Sequence, residues 1–482
     1  MSFAENLKRT SELTYTENGA RCVNTTGSAL LDLFANIGGM RKRDDNDIIN
    51  LYMNARHEDK ELADNLILYA RGIRNGGIGE RRIGRILLEK LAEIDPAKIK
   101  RNFQTIVDCG RWDDLFIFDK TAVETEMWAF IEKQLREDVE NMTNGMPISI
   151  LSKWMPSINT SSAVTRSLAR RACLRLGVTP AIYRKTLSKL RKYLKIVEVK
   201  MSSSKWDTIN YEQVPSLAMN RYRNAFRKHS PERFNNYIEA LTEGKAKINA
   251  GTLYPYDLVQ KVWGYPVDDP IIEEQWKALP DYLNGSEDQI VGIIDVSGSM
   301  SGDPMVTAIG LGIYYAQRNK GAYHNLFLTF SETPEVLSIK DEWSFRRCVE
   351  RVRQAPWGYN TNLSAAFGLI YQIAKESGEA PKALVVYTDM EIDSYSMGGY
   401  NDYSTITKKW NEKFEEIGLK CPKLIWWNIE SRHNHMLARS NDNASFCSGA
   451  GVGPFKFFTT ILEKSAYEAV EEILSKPEFC WK

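Results

Sequence analysis

Residues 290–300 read IVGIIDVSGSM, an apolar run that stops at Asp295 and then offers Ser297 and Ser299 at alternate positions. A β-branched run of this length predicts a strand buried on both faces. Its end is unusual because a turn needs one short polar residue, and here three oxygen-bearing side chains crowd into five positions. From residue 288 onward the rhythm repeats. HNLFLTFS, PEVLSIK, KALVVYTDME and KLIWWNIE are further strand runs. PMVTAIGLGIYYAQRNK, WSFRRCVERVRQ, NLSAAFGLIYQIAKES, TITKKWNEKFEEIG and TTILEKSAYEAVEEILSK carry helical periodicity. Strands alternating with helices imply right-handed crossovers and a mostly parallel, doubly wound α/β sheet. Ligands in such sheets bind beyond the carboxyl ends of the strands, where Asp295, Ser297 and Ser299 fall, as does Asp389 after ALVVYT.

Thr361, in WGYNTNLS just before a helix, adds a third hydroxyl. Two aspartates and three hydroxyls form an all-oxygen set that suits a hard divalent ion, Mg²⁺ or Mn²⁺, and would leave one position for an outside carboxylate. With the DVSGS motif, the middle-loop threonine and the later TD in this order, the segment resembles the metal-ion-dependent adhesion site of von Willebrand factor A domains. The resemblance implies Asp295, Ser297, Ser299, Thr361 and Asp389 as its five positions, with the hydroxyls coordinating directly and the aspartates often acting through water. One departure stands out: Met390, Glu391 and Asp393 follow Asp389 where that family commonly has glycine.

The first ~280 residues read as helical. ELADNLILYARGIR and RRIGRILLEKLAEI have apolar residues at helical spacing, and NGGIGE between them reads as a tight turn with Glu80 and Arg81 at a helix start. It lacks the preceding strand and the following Lys-Ser/Thr that a phosphate-binding loop requires. Short helices continue through RWDDLFIFDK, MWAFIEKQLRED and PAIYRKTLSKLRKYLKIVEVKM. In GRWDDLF, Arg111, Asp113 and Asp114 read as a Trp-anchored turn rather than a catalytic carboxylate pair, and Trp154 and Trp206 as packing anchors. The expected architecture is multidomain: an α-helical, HEAT-like repeat region over residues 1–285, then a von Willebrand A-like, Rossmann-like α/β domain over 286–482. The Pro- and Gly-rich stretch from about 250 to 285 is the expected passage between them.

Composition narrows the function. With 43% hydrophobic and 26% charged residues the chain is globular, and a net charge of +1 leaves nucleic-acid affinity to a local patch. The seven cysteines include no CxxC pair, which predicts reduced thiols and a cytoplasmic protein. No run is long and apolar enough for a membrane span, so no membrane partner is expected. His433, His435 and Cys447 could hold a metal, but without a fourth ligand at a suitable spacing the histidines read as loop residues.

NGGIGERR, CGRWDDLF, SKWMPS, YRKTLSKLRKYL and MSSSKWDTINYEQVPSLAMNRYRNAF together resemble an uncharacterised family of large viruses, phages and plants. Its architecture is similar to that of the Ro autoantigen, a ring of helical repeats (the TROVE module) followed by a von Willebrand A domain. This resemblance implies binding of small structured or misfolded RNA. The sequence offers a matching patch, since residues 166–205 hold twelve Lys or Arg and one acid, Glu198. With Tyr183, Leu187, Leu190, Leu194 and Val197 buried, Lys185, Lys189, Lys192 and Lys195 lie on the opposite face, with Arg170, Arg171 and Arg184 nearby. Tyr183, Tyr193 and Trp206 are candidate stacking platforms. An RNA-binding scaffold is therefore the first reading. An adaptor gripping an acidic protein partner at the metal site is the second. A metal-dependent nuclease is the third, because Ser297 has no histidine at a recognisable spacing and only Glu391 or Asp393 offers a base.

Overall fold

The computed structural model describes residues 10–73, 76–283, 287–393 and 406–482. The chain has a helical N-terminal half and a C-terminal, mostly parallel mixed sheet, and it divides into two compact units. One contains the residues up to Ile86 together with Ala250–Cys480, and the other Leu87–Asn249 with the last two residues. The boundary expected at 285/286 is thereby corrected. Periodicity reveals that a helix has a buried face but not what covers it, and the helix Ala29–Asn36 buries its face on the sheet.

The first unit opens with a hairpin, β1 (Leu13–Tyr15) and β2 (Arg21–Val23), paired antiparallel. By sequence alone this segment falls within the expected helical region. Strands of three residues show no measurable period, so only pairing identifies them. The main sheet contains β3 (Ile290–Asp295), β4 (Leu326–Phe330), β5 (Glu335–Ser338), β6 (Ala383–Thr388), β7 (Lys423–Asn428) and β8 (Ala444–Ser448). Its order is β5-β4-β3-β6-β7-β8, parallel except for β5 against β4. After β3 the chain fills one side of the sheet, and from β6 onward it fills the other. The switch point therefore lies between the carboxyl ends of β3 and β6.

Local sequence explains this seating. Every residue of β6 is buried, and β3 is buried at all but one position. The helix Asp303–Arg318 starts at Gly302 (φ +91°) and presses on β3 through Gly312, where an added Cβ would lie 2.4 Å from Ile294 Cδ1. A Cβ at Gly310 would lie 2.9 Å from Pro255 Cβ, so the stretch from 250, expected to be a passage between domains, is packed into this unit as the helices Pro255–Val262 and Pro270–Lys277.

The helix Ala29–Asn36 docks on β7 and β8 through the sequence NIGGM. Asn36 Oδ1 accepts from Ser431 Oγ (2.7 Å) and Asn428 Nδ2 (3.2 Å), and Ser448 Oγ donates to Phe34 O (2.9 Å). A Cβ at Gly38 would lie 2.4 Å from the backbone carbon of Ser448. Because backbone cannot yield as a side chain does, Gly38→Ala is expected to destabilise the unit by about 3 kcal/mol, read as a lower denaturant midpoint.

The NGGIGE motif closes a tight turn between the helices Lys60–Arg71 and Arg81–Ile94. Ile78 N donates to Tyr69 O and Glu80 N to Ala70 O, and buried Glu80 takes a two-pronged hydrogen bond from Arg41 (2.9 and 2.7 Å).

The second unit is helical among its described residues, with Glu124–Thr143, Ala163–Arg175, Pro180–Tyr193, Ser216–His229 and Pro231–Thr242 as its longer members. GRWDDLF forms a short 3₁₀ turn, Trp112–Phe118, in which Asp114 Oδ2 accepts from Arg111 N (2.9 Å) and the Arg111 guanidinium lies 4.6 Å from the Trp154 ring. Among the described residues no helix is long and apolar enough to cross a membrane.

Candidate functional site

Four of the five predicted metal-site residues meet at the switch point. Asp295 ends β3 and is fully buried. Its Oδ1 accepts from Ser297 N (2.9 Å) and its Oδ2 from Thr388 Oγ1 (2.7 Å), which ties the ends of β3 and β6 together. Ser297 Oγ lies 3.2 Å from Ser299 Oγ. Asp389 follows β6, buried, with Oδ1 accepting from Glu391 N (3.2 Å).

The loop bearing Thr361 comes alongside. Gly358 bridges Ser297, Asn362 N donates to Ser331 O (2.8 Å) just past β4, and Thr361 N donates to Asp393 Oδ2 (2.6 Å). Thr361 is fully buried, yet its Oγ1 has no hydrogen-bond partner among the described residues. A buried hydroxyl left unmatched costs about 1–3 kcal/mol, a cost a bound cation would remove. Asp393, raised as a candidate base, instead anchors this loop.

The glycine-like position after Asp389 is also explained. Met390 adopts φ +70°, a conformation that favours glycine. Thr388 Oγ1 accepts from Met390 N (3.1 Å), and the Met390 carbonyl faces His435 Nε2 at 3.2 Å.

One important residue was not singled out from the sequence. The Arg432 guanidinium lies 2.9 Å from Asp389 Oδ2, too obliquely for a hydrogen bond, and donates to Ser299 O (2.6 Å). It also approaches Glu430 (3.5 Å) and Glu17 (3.4 Å). It is a tethered positive charge at the rim of a two-carboxylate site.

Burial, reinforced by the Asp389 carboxylate, pushes Asp295 up to about 7. Burial also raises Asp389, against the pull of Arg432. A proton and any divalent ion bound here would therefore compete for this pair. Mg²⁺ affinity, measured by calorimetry at pH 6, 7 and 8, is expected to fall about tenfold per unit below pH 7 and to level off above it. Without metal the sign for stability is reversed. The folded pKa lies above the unfolded value of about 3.9, so this stabilising contribution is complete in acid and is lost as pH rises through about 7.

In the helical unit, Pro180–Tyr193 buries Tyr183, Leu187 and Leu190, with Leu194 half-buried and Val197 buried beyond its end. Arg170, Arg184, Lys185, Lys189, Lys192 and Lys195 are exposed and form no ion pair among the described residues. Arg171 is different, because its guanidinium bonds Asp119 (2.7 Å) and is committed to packing. Arg191 likewise clamps the backbone at Ser152 and Met155. The proposed stacking residues are occupied too. Tyr183 is buried with its hydroxyl on Pro156 O, Tyr193 bonds Met146 O, and Trp206 stacks on His229 at 4.2 Å. The basic face stands without the aromatic platforms expected of it.

Residues 125–289 match Domain of unknown function (DUF2828), and residues 289–478 match Domain of unknown function (DUF7788). An uncharacterized protein of Acanthamoeba polyphaga mimivirus is 28% identical over 92% of this chain and 83% of its own length. The crystal structure of the Deinococcus radiodurans Ro (RSR) protein is similar at 14% identity and TM-score 0.38, covering 91% of this chain and 92% of that one. The mimivirus protein is a large-virus relative that spans most of this chain, helical half and α/β sheet alike.

Proposed function

We propose that the α/β unit is of the von Willebrand A type and binds Mg²⁺ or Mn²⁺ through Ser297, Ser299 and Thr361, with Asp295 and Asp389 as outer carboxylates, in order to grip an acidic side chain of a protein partner. The observation that carries this reading is the buried, unmatched Thr361 Oγ1 in a loop joined to Ser297 at the switch point. The donor set is all oxygen, as a hard cation requires. With two aspartates against a divalent charge and Arg432 at the rim, the bound site keeps residual attraction for one more carboxylate. Arg432 would then turn from Asp389 toward Glu430 and Glu17, its other acidic neighbours. The role is binding rather than turnover. The test is capture of partner from host extract with Mg²⁺ and with EDTA: capture that needs the ion and is competed by free glutamate-rich peptide supports the proposal, and ion-independent capture rejects it.

A second reading, an RNA-binding scaffold of Ro-like architecture with a HEAT-like or TROVE-like helical region, rests on six exposed cations around Pro180–Tyr193 that form no ion pair among the described residues. Polyanion binding by such a face is driven by counterion release, so complexes should form at about 50 mM salt and weaken steeply by about 200 mM. Absence of any RNA complex at low salt rejects this reading.

A further inference from the structure

The β1–β2 hairpin reaches residues the first metal centre does not use. Thr16 Oγ1 donates to Ile392 O (2.6 Å), Glu17 N to Glu391 Oε2 (2.6 Å) and Asn18 Nδ2 to Glu391 O (2.8 Å), while Gly19 bridges Asp393. These bonds fix the hairpin turn that carries Glu17 over the loop after β6. The loop after β7 brings His433, whose Nε2 is 2.7 Å from Glu17 Oε1. One ligand atom each from Glu17, Glu391 and His433 lie within 4.8 Å of one another.

A second observation points to a ligand. Glu391 is fully buried, and its Oε1 has no hydrogen-bond partner among the described residues. The His435 ring is 3.7 Å away, and burial holds its pKa below the ordinary value, so it supplies no steady positive charge. Arg432 lies 3.4 Å from Glu17 Oε2, leaving Oε1 to face the cluster.

We propose that Glu17, Glu391 and His433 form a second divalent-cation site, separate from the one built on Asp295, for an ion that accepts imidazole together with carboxylate: Zn²⁺ or Mn²⁺ rather than Mg²⁺. Bound donors would settle about 3.4 Å apart, given metal–ligand bonds of roughly 2.0–2.2 Å in a tetrahedral shell, so the Glu17–His433 pair would open from 2.7 Å. Glu17 and His433 are exposed, so rotation of these two side chains suffices, and the solvent side stays open for water and for entry. The ion would clip the hairpin to the loops after β6 and β7. Cys447, in β8, is not part of this cluster.

The test is a calorimetric Zn²⁺ titration of the EDTA-stripped full chain carrying Asp295→Asn, which disables the first centre, repeated on the unsubstituted chain saturated with Mg²⁺. One Zn²⁺ per chain is expected, weakened about tenfold or more by His433→Ala and by Glu17→Gln. Both residues are on the surface, so melting in EDTA should be unchanged by either substitution. X-ray absorption of the Zn²⁺-loaded chain should report one imidazole nitrogen among oxygen neighbours. Zn²⁺ affinity indifferent to both substitutions, or an all-oxygen shell, overturns the proposal and leaves Glu17 and His433 as a hydrogen-bonded pair.

Discussion

Replacing Asp295 with Asn is expected to weaken Mg²⁺ binding by at least roughly 100-fold while leaving the fold intact. Asn can still accept from Ser297 N through Oδ1, and its amide can donate to Thr388 Oγ1 once that hydroxyl rotates, so the tie between β3 and β6 survives. What goes is a buried carboxylate that ionises only near pH 7. The variant therefore makes a second prediction of the same origin: its metal-free stability should decline less steeply between about pH 5 and 7, because one of the buried carboxyl groups that release a proton there is absent. Calorimetry with Mg²⁺ and chemical denaturation in EDTA at several pH values measure the two effects separately. Undiminished Mg²⁺ affinity would place the ion elsewhere. Unchanged pH dependence would mean that the Asp295–Asp389 pair is not the proton store.

Charge reversal at Lys185, Lys189, Lys192 and Lys195 addresses the helical unit. All four side chains are exposed and form no ion pair among the described residues, so glutamate there should leave melting close to the parent. RNA affinity at low salt should fall roughly 100-fold or more, and the slope of log affinity against log salt should flatten by about 3, since some 0.7 counterions are released per phosphate neutralised on a single strand. Arg171→Ala is the internal control. Its guanidinium serves Asp119, so it should lower stability and leave the salt slope alone. Unchanged RNA affinity in the quadruple variant would show that the basic face is a solvated surface and nothing more.

The sequence made the candidate centre legible to an unequal degree. IVGIID and ALVVYT are readable because a strand covered on both faces needs continuous apolar residues, and the oxygen donors follow directly at the strand ends. Thr361 could be named because the loop order is simple. Arg432 was not, since a loop arginine looks like any surface cation until the end of β6 puts Asp389 beside it. Glu391 was weighed as a base, and its burial under the hairpin was invisible because three-residue strands carry no periodic signal. The basic helix was read correctly as to which side is buried. The aromatics near it stayed open between packing anchor and stacking platform, because a tyrosine or tryptophan beside lysines has the same spelling whether it faces solvent or core. The helix Ala29–Asn36 shows the same limit: its apolar residues predict burial without naming β7 and β8 as the cover.

The discontinuity of the first unit has a consequence for synthesis. The hairpin, the NIGGM docking segment and the first helices leave the ribosome before the whole helical unit, and well before β7 and β8 exist to receive them. Leu87–Asn249 can collapse on its own contacts while the earlier segment waits with its apolar stripes uncovered. Maturation should therefore run inside out: the middle of the chain becomes protease-resistant first, and the amino-terminal residues become so only after β8 has been translated.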